Sequence, residues 1–264
     1  MKQFKLAICQ NMPGFDKIQN VARAQQMVRQ AAAAGAELIM LPEMFYFVYE
    51  LKRLRDIAEQ HGETLSVLRQ TARELGVYLC TGSMAEQEKD NIFNRAYLLD
   101  PAGDVILTYS KSYMFDVNLP GLMVQESAVF SPGGSFAIAS TTLGNIGMLI
   151  CFDIRFPETT RELVKRGVEI ILVPAAFNTI TGPAHWHMTF RTRAVESQCF
   201  VAAASPARNK HSTYHAYGHS LVVDPWGKVL TEAGTGEGIV YCTLDPRVLT
   251  DTRARLPLLK NIGL

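Results

Sequence analysis

Short apolar, β-branched runs recur along this 264-residue chain, and most of them stop at Gly, Pro, Asp or Ser. The first five are "FKLAICQ", "AELIMLP", "VYLCTGS", "AYLLD" and "VILTYSK". "SFAIAS", "NIGMLIC", "VEIILVPAAF", "CFVAAASP", "HSLVVD" and "GIVYCTL" follow. Each is the length of a strand. Between several of them the apolar period lengthens to that of a helix. In "NVARAQQMVRQAAAAG", Val21, Ala24, Met27, Val28 and Ala31 share one face and Gly35 ends the run. "LRDIAEQHGETLSVLRQTARELG" reads as a second helical region closing at Gly76. "PETTRELVKRG" places Pro157 at a first helical position with Glu158 in the first turn, and "AHWHMTFRTRAVESQ" is the fourth pattern. "LLDPAGDVIL" and "VVDPWGKVL" each join two apolar runs through Asp-Pro-x-Gly, the turn chemistry of a hairpin. About eleven strands and four helices, with no linker, repeat or break in composition, predict one α/β domain over residues 1–264 with two mixed sheets.

Several function classes drop out early. A net charge of +1 leaves no electrostatic footprint for nucleic acid or an anionic membrane. No apolar run approaches the roughly 20 residues that span a bilayer. The opening "MKQFKLAICQNMPG" has too short an apolar centre for a signal peptide and reads as a first strand. Five scattered cysteines, odd in number and without a CxxC pair, fit a reducing, cytoplasmic setting better than a disulfide framework. Cys9, Cys80, Cys199 and Cys242 lie inside apolar runs and read as buried structural thiols. Cys151 differs, because Asp153, Arg155, Pro157 and Glu158 follow it at once.

Three strand ends carry chemistry. Glu43 follows "LIMLP", where a carboxylate would stand at the carboxyl edge of a sheet, the edge at which open α/β sheets bind ligands. Its bland alternative is a solvated loop acid. Glu158 competes for the role of base, although a first-turn acid has a sufficient structural reason. Lys111 lies just past "VILTYS", and a lone lysine there is ordinarily surface. Cys151 sits at a strand-to-helix junction. A free thiol has a pKa of about 8.5, so without a nearby cation or base it stays protonated. Together the three residues supply an acyl-transfer apparatus: a thiol to attack a carbonyl, a carboxylate to move its proton and an ammonium for the oxyanion.

"LPEMF", "YSKSYMFD" and "GMLICFDIRFPE", in that order, resemble the Glu–Lys–Cys motifs of the nitrilase superfamily of carbon–nitrogen hydrolases. The likeness covers essentially the whole chain, continuing through "PGGSF", "PAAFNTITGPAHWHMTFRTRAVESQCFVAAASPAR" and "YGHSLVVDPWGKVL". Within the superfamily the chain is most similar to the ω-amidase branch, which hydrolyses ω-monoamides of dicarboxylic acids such as α-ketoglutaramate and succinamate. The resemblance implies a four-layer α-β-β-α sandwich, a homodimer or higher homo-oligomer, and no cofactor or metal. It assigns Glu43 as general base, Lys111 as oxyanion stabiliser and Cys151 as nucleophile. It also assigns Glu126, in "VQESAVFSPG", as a second acid that positions Lys111 and substrate. The Phe152 backbone N–H becomes a second oxyanion donor, Arg155 and Thr181 bind the far carboxylate of the substrate, and Tyr49 walls the pocket. For Arg155 the competing reading is a structural pair with Asp153 or Glu158. The segment "MFYFVYELKRLRD" is shorter than the family's usual loop there.

The expected activity is therefore cleavage of a small-molecule amide to acid and ammonia through a cysteine acyl-enzyme. Deaminated-glutathione amidase and nitrilase chemistry would use the same three residues, and an inactive binding relative is the alternative of another class. His185, His187, His211, His215 and His219 invite a zinc reading, but Ser212, Thr213, Tyr214 and Gly218 make a poor helix for it. A papain-type Cys–His pair lacks its local sequence around Cys151.

Overall fold

Alternation along the first strand already separates the molecule into layers. The structure, a computed structural model, describes residues 1–60 and 62–263. In β1 (Phe4–Gln10), Phe4, Leu6 and Ile8 enter one hydrophobic core while Ala7 and Cys9 enter another. A strand apolar on both faces needs cover on both sides.

The chain continues through α1 (Lys17–Ala33), β2 (Leu38–Met40), α2 (Leu51–Asp56), α3 (Glu63–Leu75), β3 (Tyr78–Glu88), β4 (Asn91–Leu99) and β5 (Val105–Ser110). A small hairpin follows, β6 (Asp116–Leu119) and β7 (Leu122–Gln125), then β8 (Ile138–Thr141), β9 (Gly144–Met148), α4 (Pro157–Lys165) and β10 (Ile170–Pro174). The last part holds α5 (Thr181–Ser197), β11 (Phe200–Ala204), β12 (Leu221–Val223), β13 (Val229–Glu232), β14 (Gly238–Leu244), α6 (Pro246–Arg255) and α7 (Leu258–Asn261).

Two six-stranded mixed sheets result, ordered β14-β1-β2-β3-β4-β5 and β13-β12-β11-β10-β9-β8. On the outer face of the first, α1 and α3 bury Met27, Val28, Leu68 and Ala72 against Ala7, Ile39 and Leu79. Its inner face presents Leu6, Met40 and Leu98 to Met148, Leu172 and Ala202 of the second sheet. Leu163, Trp186 and Phe190 of α4 and α5 complete that core from the far side. The order α-β-β-α is the expected four-layer sandwich. Among the described residues no helix is long and apolar enough to cross a membrane.

Both Asp-Pro-x-Gly hairpins form. Asp100 and Asp224 each accept from two backbone N–H groups of their own turn, at 2.9 Å, and the antiparallel pairs β4–β5 and β12–β13 follow. Among the described residues the strands number fourteen and the helices seven, against about eleven and four expected. The β6–β7 hairpin escaped notice because most of it is exposed, so no apolar alternation marks it. The second helical region is two helices, α2 and α3, separated where Gly62 takes a left-handed φ of 67°; His61, between them, lies outside the described residues. Helix α6 is mostly polar and begins with its own cap, Asp245 accepting from Arg247 N–H.

Candidate active site

Strands β2, β5, β9 and β10 end at one rim, and the residues just past them converge. Glu43 comes three residues after β2. Its loop crosses β3 closely because Gly82 has no side chain: a Cβ there would meet the Pro42 carbonyl at 2.3 Å. Met44 N–H then donates to Ser83 O at 3.1 Å, fixing the loop. Lys111 follows β5 directly, with its N–H on Asn94 O and its carbonyl accepting from Gly133 N–H. Cys151 opens the 3₁₀ turn Cys151–Arg155 beyond β9 with φ 48°, a left-handed conformation that costs a non-glycine residue of order 1–3 kcal/mol.

These side chains meet out of water. Glu43 and Lys111 have no exposed surface, Glu126 almost none, and Cys151 is buried. Lys111 Nζ reaches Glu43 Oε1 at 3.1 Å and Glu126 Oε2 at 2.8 Å. Asn94 Nδ2 donates to Glu43 Oε1 at 2.8 Å, so that oxygen is doubly engaged. Glu43 Oε2 accepts from none of the described donor groups with hydrogen-bond geometry, although the Cys151 thiol lies close enough to act on its titration. Glu126 is held in turn by the Phe115 N–H at 2.8 Å and by the Tyr49 hydroxyl.

Burial dominates the titration of the site. It opposes the Lys111 charge, but Glu126 and Glu43 more than offset it and hold the ammonium well above the usual lysine range. It raises the Glu43 carboxyl, with Glu126 adding and Lys111, the Cys151 thiol and Asn94 pulling back. It also pushes the Cys151 thiol well up, helped by Glu43 and resisted by Lys111 and the Ala176 N–H. Cys151 therefore rests as a thiol and needs a base at the moment it attacks. The other four cysteines are free and buried, as expected, with Cys80 and Cys199 pushed to about 12 and Cys242 to about 11.

In front of the thiol is a pocket of about 240 Å³. All four expected binding residues, Tyr49, Phe152, Arg155 and Thr181, line it with Cys151 and Glu126. The Arg155 guanidinium lies over Phe177 at 4.3 Å, and its Nη1 meets His185 Nδ1 at 2.8 Å. Its Nε has no partner, and no carboxylate pairs with it, among the described residues. The structural-pair reading of Arg155 fails for a visible reason: Asp153 is already spent on Tyr109, Ser112, Tyr113 and Ile150. Glu158 stands apart from the cluster, leaving its first-turn place in α4 as its role. Thr181 opens α5 and directs its hydroxyl to Asn178 Oδ1 at 3.3 Å.

Sequence reasoning missed Asn94, Phe115, Phe177 and Tyr214. Asn94 is a strand residue among others, and Tyr214 was overshadowed by the histidines around it. Those histidines go elsewhere: His187 Nε2 and His219 Nδ1 share Glu232 Oε1 at 3.0 and 2.8 Å. Among the described residues no group of three or more His, Cys, Asp or Glu is arranged to hold a metal ion.

With this geometry in view, comparison with known proteins is informative. A family model for carbon-nitrogen hydrolases matches residues 5–254. Omega-amidase NIT2 of Mus musculus is 41% identical over 263 residues, 99% of this chain and 95% of that protein. Omega-amidase NIT2 of Danio rerio is 40% identical over the same shares. Among solved structures, Saccharomyces cerevisiae Nit3, a member of branch 10 of the nitrilase superfamily, superposes with TM-score 0.90 at 36% identity, covering 97% of this chain and 95% of that one.

Proposed function

The chain belongs to the carbon–nitrogen hydrolase family and is an amide-hydrolysing enzyme, and from that premise we propose that it is an ω-amidase using Cys151 as nucleophile. Cys151 Sγ attacks the amide carbon while Glu43 Oε2 takes the thiol proton. An ammonium has three donors. Lys111 Nζ lies within 3.1 Å of Glu43 Oε1 and of both Glu126 oxygens, and it turns one donor to the oxyanion as that forms, beside the Phe152 N–H. A donor fixed in a dry site is worth more to a developing charge than one in water. As the tetrahedral species collapses, Glu43 passes its proton to nitrogen and ammonia leaves. Water then attacks the thioester, again giving its proton to Glu43, which returns it to the departing sulfur. Glu126 acts through Lys111, holding it in line.

The observation that carries the substrate assignment is Arg155, a guanidinium on the pocket wall with no carboxylate partner among the described residues. Desolvation lowers its pKa, so a carboxylate arriving there restores a pairing that the protein itself leaves open. Thr181 sits beside it on the same wall. Succinamate and α-ketoglutaramate should therefore outrun an uncharged amide of equal length and the matching nitrile. Arg155→Leu should reduce kcat/KM for the acidic amides by about 10²-fold or more and leave Cys151 alkylation intact. Equal rates on uncharged amides or nitriles would sink the ω-amidase assignment. Cys151→Ala should fold and be inactive, and acylation of any other cysteine in the wild type would remove the nucleophile assignment.

We further propose that the whole chain works as one domain, in a reducing, cytoplasmic setting that suits five free thiols. It would act as a homodimer or larger homo-oligomer. Exposed Met188 on α5, and Trp226 in the β12–β13 turn that α5 contacts through Arg191, support a covered outer face. Size-exclusion chromatography with light scattering tests this, and a monomer would refute it.

A further inference from the structure

Two recesses share one wall. Tyr49, Tyr214 and Ala176 line both, and the two tyrosine rings lie 4.8 Å apart between them. The Tyr214 hydroxyl donates to the Ala176 carbonyl and the Tyr49 hydroxyl to Glu126, so the wall is tied at both rings. Cys151 and Arg155 line the first recess and not the second. Glu43 lines the second and not the first, with Pro13, Phe47, Ala207, Asn209 and Ser212 around about 320 Å³. Half-buried Asn209 marks its outer end, next to exposed Lys210 and His211. Cys151 is thus in the wall of one space and Glu43 in the wall of the other.

We propose that the Glu43 recess is a separate passage for the two small neutral molecules of the reaction, carrying ammonia out and the hydrolytic water in. The inference rests on the Cys151–Glu43 chemistry proposed above. In acylation the S–C bond forms, the C–N bond breaks and the thiol proton reaches nitrogen through Glu43. In deacylation the water O–C bond forms, the S–C bond breaks and the water proton reaches sulfur through Glu43. Ammonia and water must both touch this carboxylate. Between the two steps the acyl chain fills the Cys151 recess with its carboxylate on Arg155. Exchange through that recess would have to pass the bound acyl group, whereas the second recess has Glu43 in its wall, on the other side of the tyrosines. Its largely apolar lining of Pro13, Phe47 and Ala207 tolerates neutral ammonia and water and penalises an ionised acid, so the product leaves by the other side. The recess has room for about one water-sized molecule at a time.

The test narrows the passage without touching the thiol. Ala207→Leu and Ser212→Leu each enlarge a buried wall residue. In whichever variant folds by circular dichroism, kcat should fall about tenfold. Acyl-Cys151 should become the main species in the steady state by mass spectrometry, while Cys151 alkylation keeps its wild-type rate. In the wild type, hydroxylamine should intercept the acyl-enzyme and n-butylamine should not. Unchanged kcat and acyl occupancy, or equal interception by both amines, would overturn the passage. Failure of the wild type to form any acyl-Cys151 would instead strike the underlying chemistry, so the two failures are distinguishable.

Discussion

The two oxygens of Glu43 have different employment. Oε1 is held by Lys111 at 3.1 Å and Asn94 at 2.8 Å, which turns Oε2 toward the thiol side. The carboxyl is raised above its ordinary 4.5, chiefly by burial, so its charged form is the costly one. For a group raised in the folded state, the stabilising contribution is complete below the unfolded value and is lost as pH rises through the folded value. Glu43→Gln should therefore melt no lower than wild type at pH 8, and any advantage should vanish in acid. Its turnover should still drop by about 10²–10⁴. For the same reason the acid limb of kcat/KM should lie above the ordinary carboxylate range. A variant that kept near-wild-type turnover would remove Glu43 as base. Lys111→Ala is the contrasting case, leaving two buried carboxylates unpaired: turnover should fall by at least 10²–10³ and stability by about 3–5 kcal/mol. Denaturant melts and initial rates separate the two variants. At this scale the reactive residues were legible as apolar runs ending in Glu43, Lys111 and Cys151. Asn94 was not, because nothing along a strand says which of its polar residues faces a carboxylate from another.

Between these residues the turns have to be tied together. Asp153 does this for two of them. Its carboxylate accepts from Tyr109 OH at 2.8 Å and from the N–H groups of Ser112 at 3.2 Å and Tyr113 at 2.8 Å, all around Lys111. It also accepts from Ile150 N–H at 3.2 Å, in the turn that presents Cys151. Burial holds it at about 6 in spite of the Lys111 charge and these donors, so its ionisation costs stability as pH rises through about 6. Asp153→Asn keeps the shape, but its amide cannot serve every donor. It should lose roughly 1–3 kcal/mol in a thermal or urea melt and lower kcat more than it raises KM. Unaltered kcat would show that the two turns hold their places without it. The elements themselves were readable wherever burial imposed a period, as in β1, α1 and the Asp-Pro-x-Gly hairpins. The β6–β7 hairpin and the break between α2 and α3 were not, since exposed polar residues and a single left-handed glycine leave no periodic trace.

Across the whole molecule, Glu43 and Lys111 hang from the first sheet and Cys151 from the second. Their alignment is a matter of how the sheets pack. Met148, the fully buried last residue of β9 and three before the nucleophile, lies with its sulfur 3.9 Å from Cys80 Sγ of the opposite sheet. Met148→Ala should cost about 2–5 kcal/mol and reduce kcat well below the melting temperature, because the cavity lets the sheets shift. If kcat stays at the wild-type value while stability falls, the site does not depend on that spacing. No periodicity states how far residue 43 lies from residue 151, and only the likeness to a known family anticipated that they meet. The pairing of β1 has a consequence for how the chain is made. Phe4 lies opposite Leu244 and Gln10 opposite Gly238, so β1 has a neighbour on both sides only after residues 238–244 have been made. On the ribosome this ribbon, greasy on both faces, waits with bare amides along one side until β14 emerges. Its yield in a cell should then rest on helpers that shield such ribbons, to a degree that the finished enzyme's durability would not reveal.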